Sequence, residues 1–160
     1  MNRFYLAAIL SLGLAPAALA ADGVISVERG AQVAVIGGCN DCHTVGYNES
    51  GGKVDPAAAL KGSPVGFMGP WGTTYPLNLR LTAIQKATNE DEFVAFLQKL
   101  QTRPPMPWYN VHALDESDMR SLYRYIRSLG PPGAQAPDAL PPGEIPKTPY
   151  IVFAPPVMPK

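Results

Sequence analysis

Apolar residues recur at helical spacing in three separate segments of the chain. In the first segment, Ser26 can cap a helix that runs from about Val27 to Ile36 and ends at Gly37-Gly38. The apolar stripe of this helix consists of Val27, Ala31, Ala34 and Val35. The spacing predicts a short helix with one buried face.

Two further amphipathic segments lie in the second half of the chain. Asn89 caps the second helix, where Glu92 completes a capping-box-like signal, and Pro104 with Pro105 forbid helix beyond it. The third helix starts at Asp115 and is stopped by Gly130. The buried stripes consist of Phe93, Phe96, Leu97 and Leu100 in the second helix, and of Met119, Leu122, Tyr123, Ile126 and Leu129 in the third. The pattern predicts an all-α fold with three or more helices.

Two segments fall outside the helical pattern. Residues 44–80 are rich in Gly and Pro and are predicted to form irregular loops, and a long loop of this kind usually wraps something. Residues 131–160 hold ten of the 18 prolines and are predicted to be extended and poor in regular structure. The apolar stretch 150–153 could pin this tail to a surface.

The N-terminus has the pattern of an export signal. Arg3 precedes an apolar run from Phe4 to Leu14, and Ala18-Leu19-Ala20 matches the small-x-small pattern that signal peptidase accepts. We therefore assign residues 1–20 to a signal peptide, residues 21–130 to one domain and residues 131–160 to a Pro-rich tail.

The alternative for this N-terminal run is a retained membrane anchor. The run is interrupted by Ser11, Gly13 and Pro16 and is shorter than the roughly 20 apolar residues that a spanning helix needs. No later segment is apolar enough to span a bilayer, so we expect a soluble protein in the periplasm or otherwise exported, with no membrane span after signal cleavage.

The charge balance excludes partners that would bind through a large overall charge on the protein. Lys plus Arg and Asp plus Glu both number 13, and loss of Arg3 with the signal leaves a net charge of −1. We therefore expect no nucleic-acid partner, and any charge-guided docking must use a local patch.

The residues Cys39-Asn40-Asp41-Cys42-His43 form the C-x-x-C-H pattern of haem attachment. Two intervening residues let both thiols add to the neighbouring vinyl groups of one haem, and the histidine that follows becomes the proximal iron ligand. The motif predicts one covalently attached haem c. The haem would supply the redox chemistry, and the protein would hold it and tune its potential.

Three other interpretations of the motif compete with haem attachment. A structural zinc site needs four ligands, and the chain offers only Cys39, Cys42, His43 and His112, two of them adjacent. A thiol–disulfide oxidoreductase places its C-x-x-C after a strand, and we predict no strand there. Chance occurrence is the third, and it is rare directly behind an export signal and a short helix.

The sixth iron ligand is predicted to be Met106. A small c-type cytochrome usually places a Met sulfur opposite the histidine, and Pro104, Pro105 and Pro107 restrict the backbone around Met106. Met68, in a loop, is the alternative. The remaining candidates fit less well, because they lie in a helical core stripe, in the tail or at a helix approach: Met119, Met158 and His112.

With these residues in place, the chain resembles the bacterial class I cytochromes c, of the periplasmic, single-haem, dehydrogenase-associated type. The resemblance runs from about Arg29 to Gly130 and is most specific at residues 39–44. Residues 105–108 resemble the Met-ligand loop and residues 122–126 the terminal helix of that class. In this class, a glycine at the position of Gly30 lets the first and last helices cross closely, here against Tyr125.

The resemblance also implies which groups meet the haem propionates. Trp71, Tyr75 and Asn78 lie in a loop of the type that passes the propionate edge, and each offers a hydrogen-bond donor. Arg80 could pair with a propionate carboxylate. For each of these four residues the alternative is packing or solvent contact.

The resemblance implies an electron carrier rather than an enzyme. Its partners would be redox proteins, with a dehydrogenase as donor and a cytochrome or oxidase as acceptor. One alternative is a peroxidase-like haem enzyme or gas sensor with an open iron site, and another is a binding module that acts through its tail. Arg120, Arg124 and Arg127 share one helix face, which is either a docking stripe or, more commonly, a solvated face.

Overall fold

The computed structural model describes residues 23–159. The proposed signal peptide, residues 1–20, lies outside the described residues, so its cleavage stays a prediction. Within the described part, the chain forms six helices and three short strands. In chain order they are α1 (Val27–Ile36), α2 (Cys39–His43), β1 (Gly66–Gly69), β2 (Gly72–Thr74), α3 (Leu79–Lys86), α4 (Glu90–Gln98), α5 (Trp108–His112), α6 (Glu116–Ser128) and β3 (Tyr150–Val152).

The three helices predicted from apolar spacing are confirmed as α1, α4 and α6. Each begins at the predicted cap, where the side chain of Ser26, Asn89 or Asp115 accepts a hydrogen bond from a backbone N–H three residues later. The capping box of α4 differs in one detail. The Glu92 carboxylate accepts from the N–H of Thr88, at 2.8 Å, one residue before the cap.

The buried face of α1 differs from the predicted stripe. Gly30, Val33 and Ala34 are buried, as the spacing of α-helical neighbours requires, but Val27 and Val35 are exposed. The prediction was wrong for these two valines because α1 packs against α6 through the backbone at Gly30. The buried face is therefore centred on Gly30 and not on the large side chains.

The closest contact between helices is the crossing of α1 and α6. A Cβ atom added to Gly30 would lie 1.9 Å from the carbonyl oxygen of Ser121 and 2.7 Å from Cβ of Tyr125. Beside the crossing, Arg29 and Asp118 form a bidentate ion pair with N···O distances of 2.6 and 2.7 Å. The close approach that the sequence predicts at Gly30 against Tyr125 is therefore present.

The hydrophobic core lies between α1, α3, α4 and α6. Met119, which we predicted to be a core residue rather than a ligand, is 2% exposed. The cluster consists of Val33, Ala34, Leu60, Ala83, Ala87, Phe93, Val94, Leu97, Met119, Leu122, Tyr123 and Ile126. Ten of these twelve residues lie in helices, which accords with the predicted all-α class.

A small sheet stands beside the helices and was not predicted. β1 pairs antiparallel with β2 and parallel with β3, in the order β2-β1-β3. The tail, predicted to be extended and poor in regular structure, contains one short strand at residues 150–152, and this strand pins it to the sheet as the apolar stretch 150–153 led us to expect. The strands escaped prediction because they are three or four residues long and depend on a distant partner.

Helix α3 was also missed by the sequence analysis. Its N-cap is Asn78, whose side-chain oxygen accepts from the N–H of Leu81 at 3.1 Å. The helix has only two buried residues, Arg80 and Ala83, so it lacks the apolar stripe that marks the other helices. The helices among residues 23–159 fall short of the length and apolar character that a bilayer crossing requires.

The close crossing leads to a first prediction. Gly30→Ala should lower the free energy of unfolding by about 3 kcal/mol, because the methyl group has no space against the backbone of Ser121. Gln32→Ala, on the exposed side of α1, is the control and should stay within about 0.5 kcal/mol of the parent. Denaturant unfolding of both variants measures the difference, and equal stability would contradict the crossing geometry.

Candidate cofactor site

The two cysteines and His43 lie on one side of the short helix α2. Residues at positions i, i+3 and i+4 of a helix face the same way, so Cys39, Cys42 and His43 share a face. Gly38 precedes the helix with φ of 69°, a left-handed conformation that redirects the chain after α1. Both thiols are free and partly exposed.

A chain of buried polar groups fixes this helix to its surroundings. Asn40, which is 1% exposed, donates to the carbonyl of Ala34 at 3.4 Å and accepts from Oγ1 of Thr44 at 2.7 Å. Oγ1 of Thr44 in turn accepts from the N–H of Leu60 at 2.9 Å. The sequence analysis treated Asn40 as a spacer and missed this role. Its only signal was the presence of short polar residues beside the cysteines.

His43 is a buried imidazole with one nitrogen committed. Nδ1 lies 2.7 Å from the carbonyl oxygen of Leu77, which can only accept, so Nδ1 carries the proton in this contact. Burial lowers the pKa of His43, with the Leu77 contact opposing the effect. The result is a neutral imidazole whose Nε2 lone pair is available to a metal, the tautomer that iron ligation requires.

The pKa values of the two thiols are unlike those of redox nucleophiles. Burial raises the pKa of Cys39 to about 11 and also raises the pKa of Cys42. Reactive C-x-x-C oxidoreductases instead depend on a thiolate with a lowered pKa. Two protonated thiols beside a neutral imidazole therefore fit a covalently attached haem better than a thiol–disulfide exchange site.

The segment that carries Met106 is anchored to the β1–β2 hairpin. Oγ1 of Thr74 donates to the carbonyl of Pro104 at 2.7 Å, and Arg103 donates to the carbonyl of Trp71 at 3.0 Å. Met106 itself is half-buried, and its carbonyl accepts from the N–H of Trp108 at the start of α5. The sulfur is thus held on an anchored segment, and its role as the sixth ligand stays a prediction.

The alternative ligands occupy different places. Met68 lies half-buried in β1, and Met158 is 79% exposed in the tail. His112 ends α5, where its exposed ring packs edge-on against Trp108 with ring centroids 5.1 Å apart. His112 therefore lies at the surface of the described residues.

Three of the predicted propionate donors have protein partners in the tail. Trp71 packs against Phe153, with ring centroids 5.7 Å apart, and the Tyr75 hydroxyl lies 2.9 Å from that of Thr148. The amide nitrogen of Asn78 donates to two tail carbonyls at 2.7 and 2.9 Å. The tail contacts of these three residues were not predicted from the sequence, and the segment predicted to be one loop contains the strand β2.

Arg80 lies buried among backbone carbonyls. Its guanidinium donates to Ala59 at 2.7 Å, to Leu129 at 2.6 Å, more weakly to Pro131, and to Pro56. These bonds link the loop before β1 to the end of α6. Pairing of Arg80 with a propionate stays a prediction, and it would have to be added to these carbonyl contacts.

The arginine face of α6 is largely paired within the protein. Arg120 contacts Asp91 at 2.6 Å, and Arg124 contacts Glu90 at 2.6 Å, so both tie α6 to α4. Arg127 lies over the ring of Tyr123, with its guanidinium carbon 6.0 Å from the centroid. This favours the solvated-face interpretation over a docking stripe, because the charges of Arg120 and Arg124 are already compensated.

The buried polar chain leads to a second prediction. Thr44→Val should lower the free energy of unfolding by about 2 kcal/mol, because it leaves the N–H of Leu60 and the oxygen of Asn40 buried without partners. Thr82→Val is the matched control, since Thr82 bonds only its own helix start at Asn78 and is less buried. Equal losses in the two variants, measured by denaturant unfolding, would mean that the buried hydrogen bonds of Thr44 add no more stability than an ordinary threonine in a helix.

Most of the chain is similar to known proteins. A model of the family described as Cytochrome c matches residues 27–130. A protein of Pseudomonas putida that is named as a subunit of nicotinate dehydrogenase is 29% identical over 120 residues, which is 69% of this chain and 9% of that protein. The chain thus spans less than a tenth of the length of this curated relative. No solved structure matches the chain.

Proposed function

Because the chain belongs to the cytochrome c family, we propose that it is an exported single-haem electron carrier that links a dehydrogenase to a respiratory chain component. Membership in the family implies a covalently bound haem c and haem-based electron transfer. The haem supplies reversible one-electron oxidation and reduction, and the protein supplies binding, orientation and tuning.

We assign the attachment of the haem to α2. Cys39 and Cys42 would form the thioether bonds, and Nε2 of His43 would bind the iron. The observation that carries this assignment is the contact of His43 Nδ1 with the Leu77 carbonyl at 2.7 Å, because it leaves the other ring nitrogen for the iron on a residue that shares its helix face with both cysteines. Met106 is the proposed sixth ligand, and Trp71, Tyr75, Asn78 and Arg80 remain the proposed propionate partners. Asn78 would have to give up one of its two tail carbonyls for this role, because its amide nitrogen carries only two hydrogens.

A six-coordinate iron suits electron exchange because little moves when the charge changes. His43 is held by a backbone carbonyl, and the Met106 segment is held by Thr74 and Arg103, so both proposed ligands stand on supported backbone. Pre-organised ligands of this kind lower the reorganisation that accompanies each electron transfer. This supports a carrier rather than an enzyme with an open iron site.

The donor proposed here is a dehydrogenase. Its support is the likeness to a protein named as a dehydrogenase subunit, with the limited coverage given above. Electrons would then pass to another cytochrome or to an oxidase. The export pattern of residues 1–20 supports a periplasmic location, where such partners meet.

A third prediction tests the carrier and its sixth ligand together. The haem-loaded protein should give a sharp c-type reduced spectrum that carbon monoxide does not change. Met106→Ala should retain the haem but bind carbon monoxide, and its midpoint potential should fall by about 0.2 V, a part of the roughly 0.8 V that axial ligands can span. Spectra with and without carbon monoxide, together with a redox titration, measure both effects.

Met68→Ala is the matched control for this experiment, because it removes the alternative sulfur from the neighbouring hairpin. It should leave the spectrum and the midpoint potential unchanged. A Met68→Ala protein that gains carbon monoxide binding would transfer the ligand assignment to Met68. A parent protein that already binds carbon monoxide would instead support the haem enzyme or gas sensor.

A fourth prediction concerns the proximal histidine. His43→Ala should yield no stable haem-loaded protein, since the variant loses the proposed iron ligand at the attachment helix. His112→Ala, which removes the exposed histidine, should accumulate loaded protein at the parent level. The haem content of both variants after export, measured by absorbance per protein, decides the assignment.

A further inference from the structure

The C-terminal strap, defined here as residues 131–153, packs along the β1–β2 hairpin and along residues 75–78, here called the loop, which carry the Leu77 carbonyl bonded to His43. It forms β3 against β1, and Leu140 exchanges two backbone hydrogen bonds with Thr73 at 2.9 and 3.1 Å. The N–H of Phe153 donates to the carbonyl of Met68 at 2.8 Å. The strap is therefore hydrogen-bonded to the β1–β2 hairpin at several points along its length.

Two strap contacts fall on either side of Leu77. One residue after Leu77, the amide nitrogen of Asn78 donates to the carbonyls of Pro132 and Ala134 at 2.7 and 2.9 Å. Two residues before it, the hydroxyl of Tyr75 meets that of Thr148 at 2.9 Å. The side chains of Tyr75 and Asn78 are buried, so both contacts are partly shielded from competing water.

Leu77 does not hold its own position through its side chain, which is 50% exposed. Its backbone is supported on one side by the segment before β1, where the N–H of Ser63 donates to the carbonyl of Pro76 at 3.1 Å. Gly62 packs so closely there that an added Cβ would lie 2.6 Å from the Pro76 oxygen. The strap supports the other side through Asn78 and Tyr75.

We propose that the strap is a positioning element for His43, fixing the Leu77 carbonyl that accepts the Nδ1 proton and thereby helping to set the reduction potential. The inference rests on the proposed function, in which His43 binds the iron. It assigns Asn78 and Tyr75 a role as positioning residues and gives the tail a function within the electron carrier itself.

The direction of the effect follows from the chemistry of the histidine. A hydrogen bond from Nδ1 to a carbonyl raises the basicity of the ligand and favours the more highly charged ferric iron. When the strap contacts are removed, the Leu77 carbonyl gains freedom, the bond weakens on average, and the ferric state loses part of this support. The midpoint potential should then rise.

The test uses point variants of the haem-loaded full chain. Asn78→Ser keeps an oxygen that can cap α3 but removes the amide donor to the strap. Thr148→Val removes the hydroxyl that meets Tyr75 at nearly constant volume. Each variant should shift the ferric–ferrous equilibrium about threefold toward the ferrous form, and together about tenfold, which is about 59 mV for a one-electron couple.

Gln135→Ala is the matched control, because it removes a hydrogen bond within the strap, to Asp138 at 2.9 Å, without touching the loop. It should leave the potential unchanged. A second readout is the exchange rate of the His43 Nδ1 proton with solvent, followed by NMR, which should increase in Asn78→Ser and in Thr148→Val but not in the control.

Two outcomes would overturn the proposal. Loss of stability with an unchanged potential and unchanged proton exchange would make the strap a purely structural brace. Equal shifts in Gln135→Ala would mean that the effect does not pass through Leu77. Failure of the proposed function has a different signature, because the parent protein would then lack a six-coordinate c-type spectrum altogether.

Discussion

The hydrogen bond between His43 and the carbonyl of Leu77 is the contact around which the loop side of the molecule is arranged. Leu77 lies 34 residues after His43 in the sequence, so the chain must come back to the histidine. It does so through a close backbone contact at Gly62 and the start of α3 at Asn78. The hairpin, α3 and the strap are all attached to the same return. The position of one ring nitrogen thus depends on backbone that comes from the whole loop and the tail.

The helical side of the molecule provides rigidity close to α2, the proposed attachment helix. The crossing at Gly30 brings the backbones of α1 and α6 into direct contact, and the ion pair of Arg29 with Asp118 closes it. Since α2 follows α1 after a turn of two residues, a rigid crossing fixes the direction from which Cys39 enters the site. The scaffold and the ligand loop therefore meet at α2 from opposite sides.

Features with local causes were predictable from the sequence, and features with distant causes were not. The caps Ser26, Asn89 and Asp115 lie beside the helices they start, so their signals were sufficient. The role of Asn78 was different, because its amide nitrogen bonds carbonyls 54 and 56 residues away that carry no side-chain signal. The same limit applies to Leu77, which contributes only a carbonyl that every residue possesses. The C-x-x-C-H motif was recognisable because the chemistry proposed for it fixes both residue type and spacing.

The parallel pairing of β1 with β3 also has a temporal consequence. Gly66 pairs with Tyr150, 84 positions later, and contacts of such high contact order form late because loop closure is entropically costly. The individual helices, whose backbone hydrogen bonds are local, form sooner. A chain that folds in this order passes through a stage in which α2 is formed while the strap is not yet paired with β1. A bulky prosthetic group would reach the two proposed attachment thiols more easily at that stage, and closure of the strap would follow.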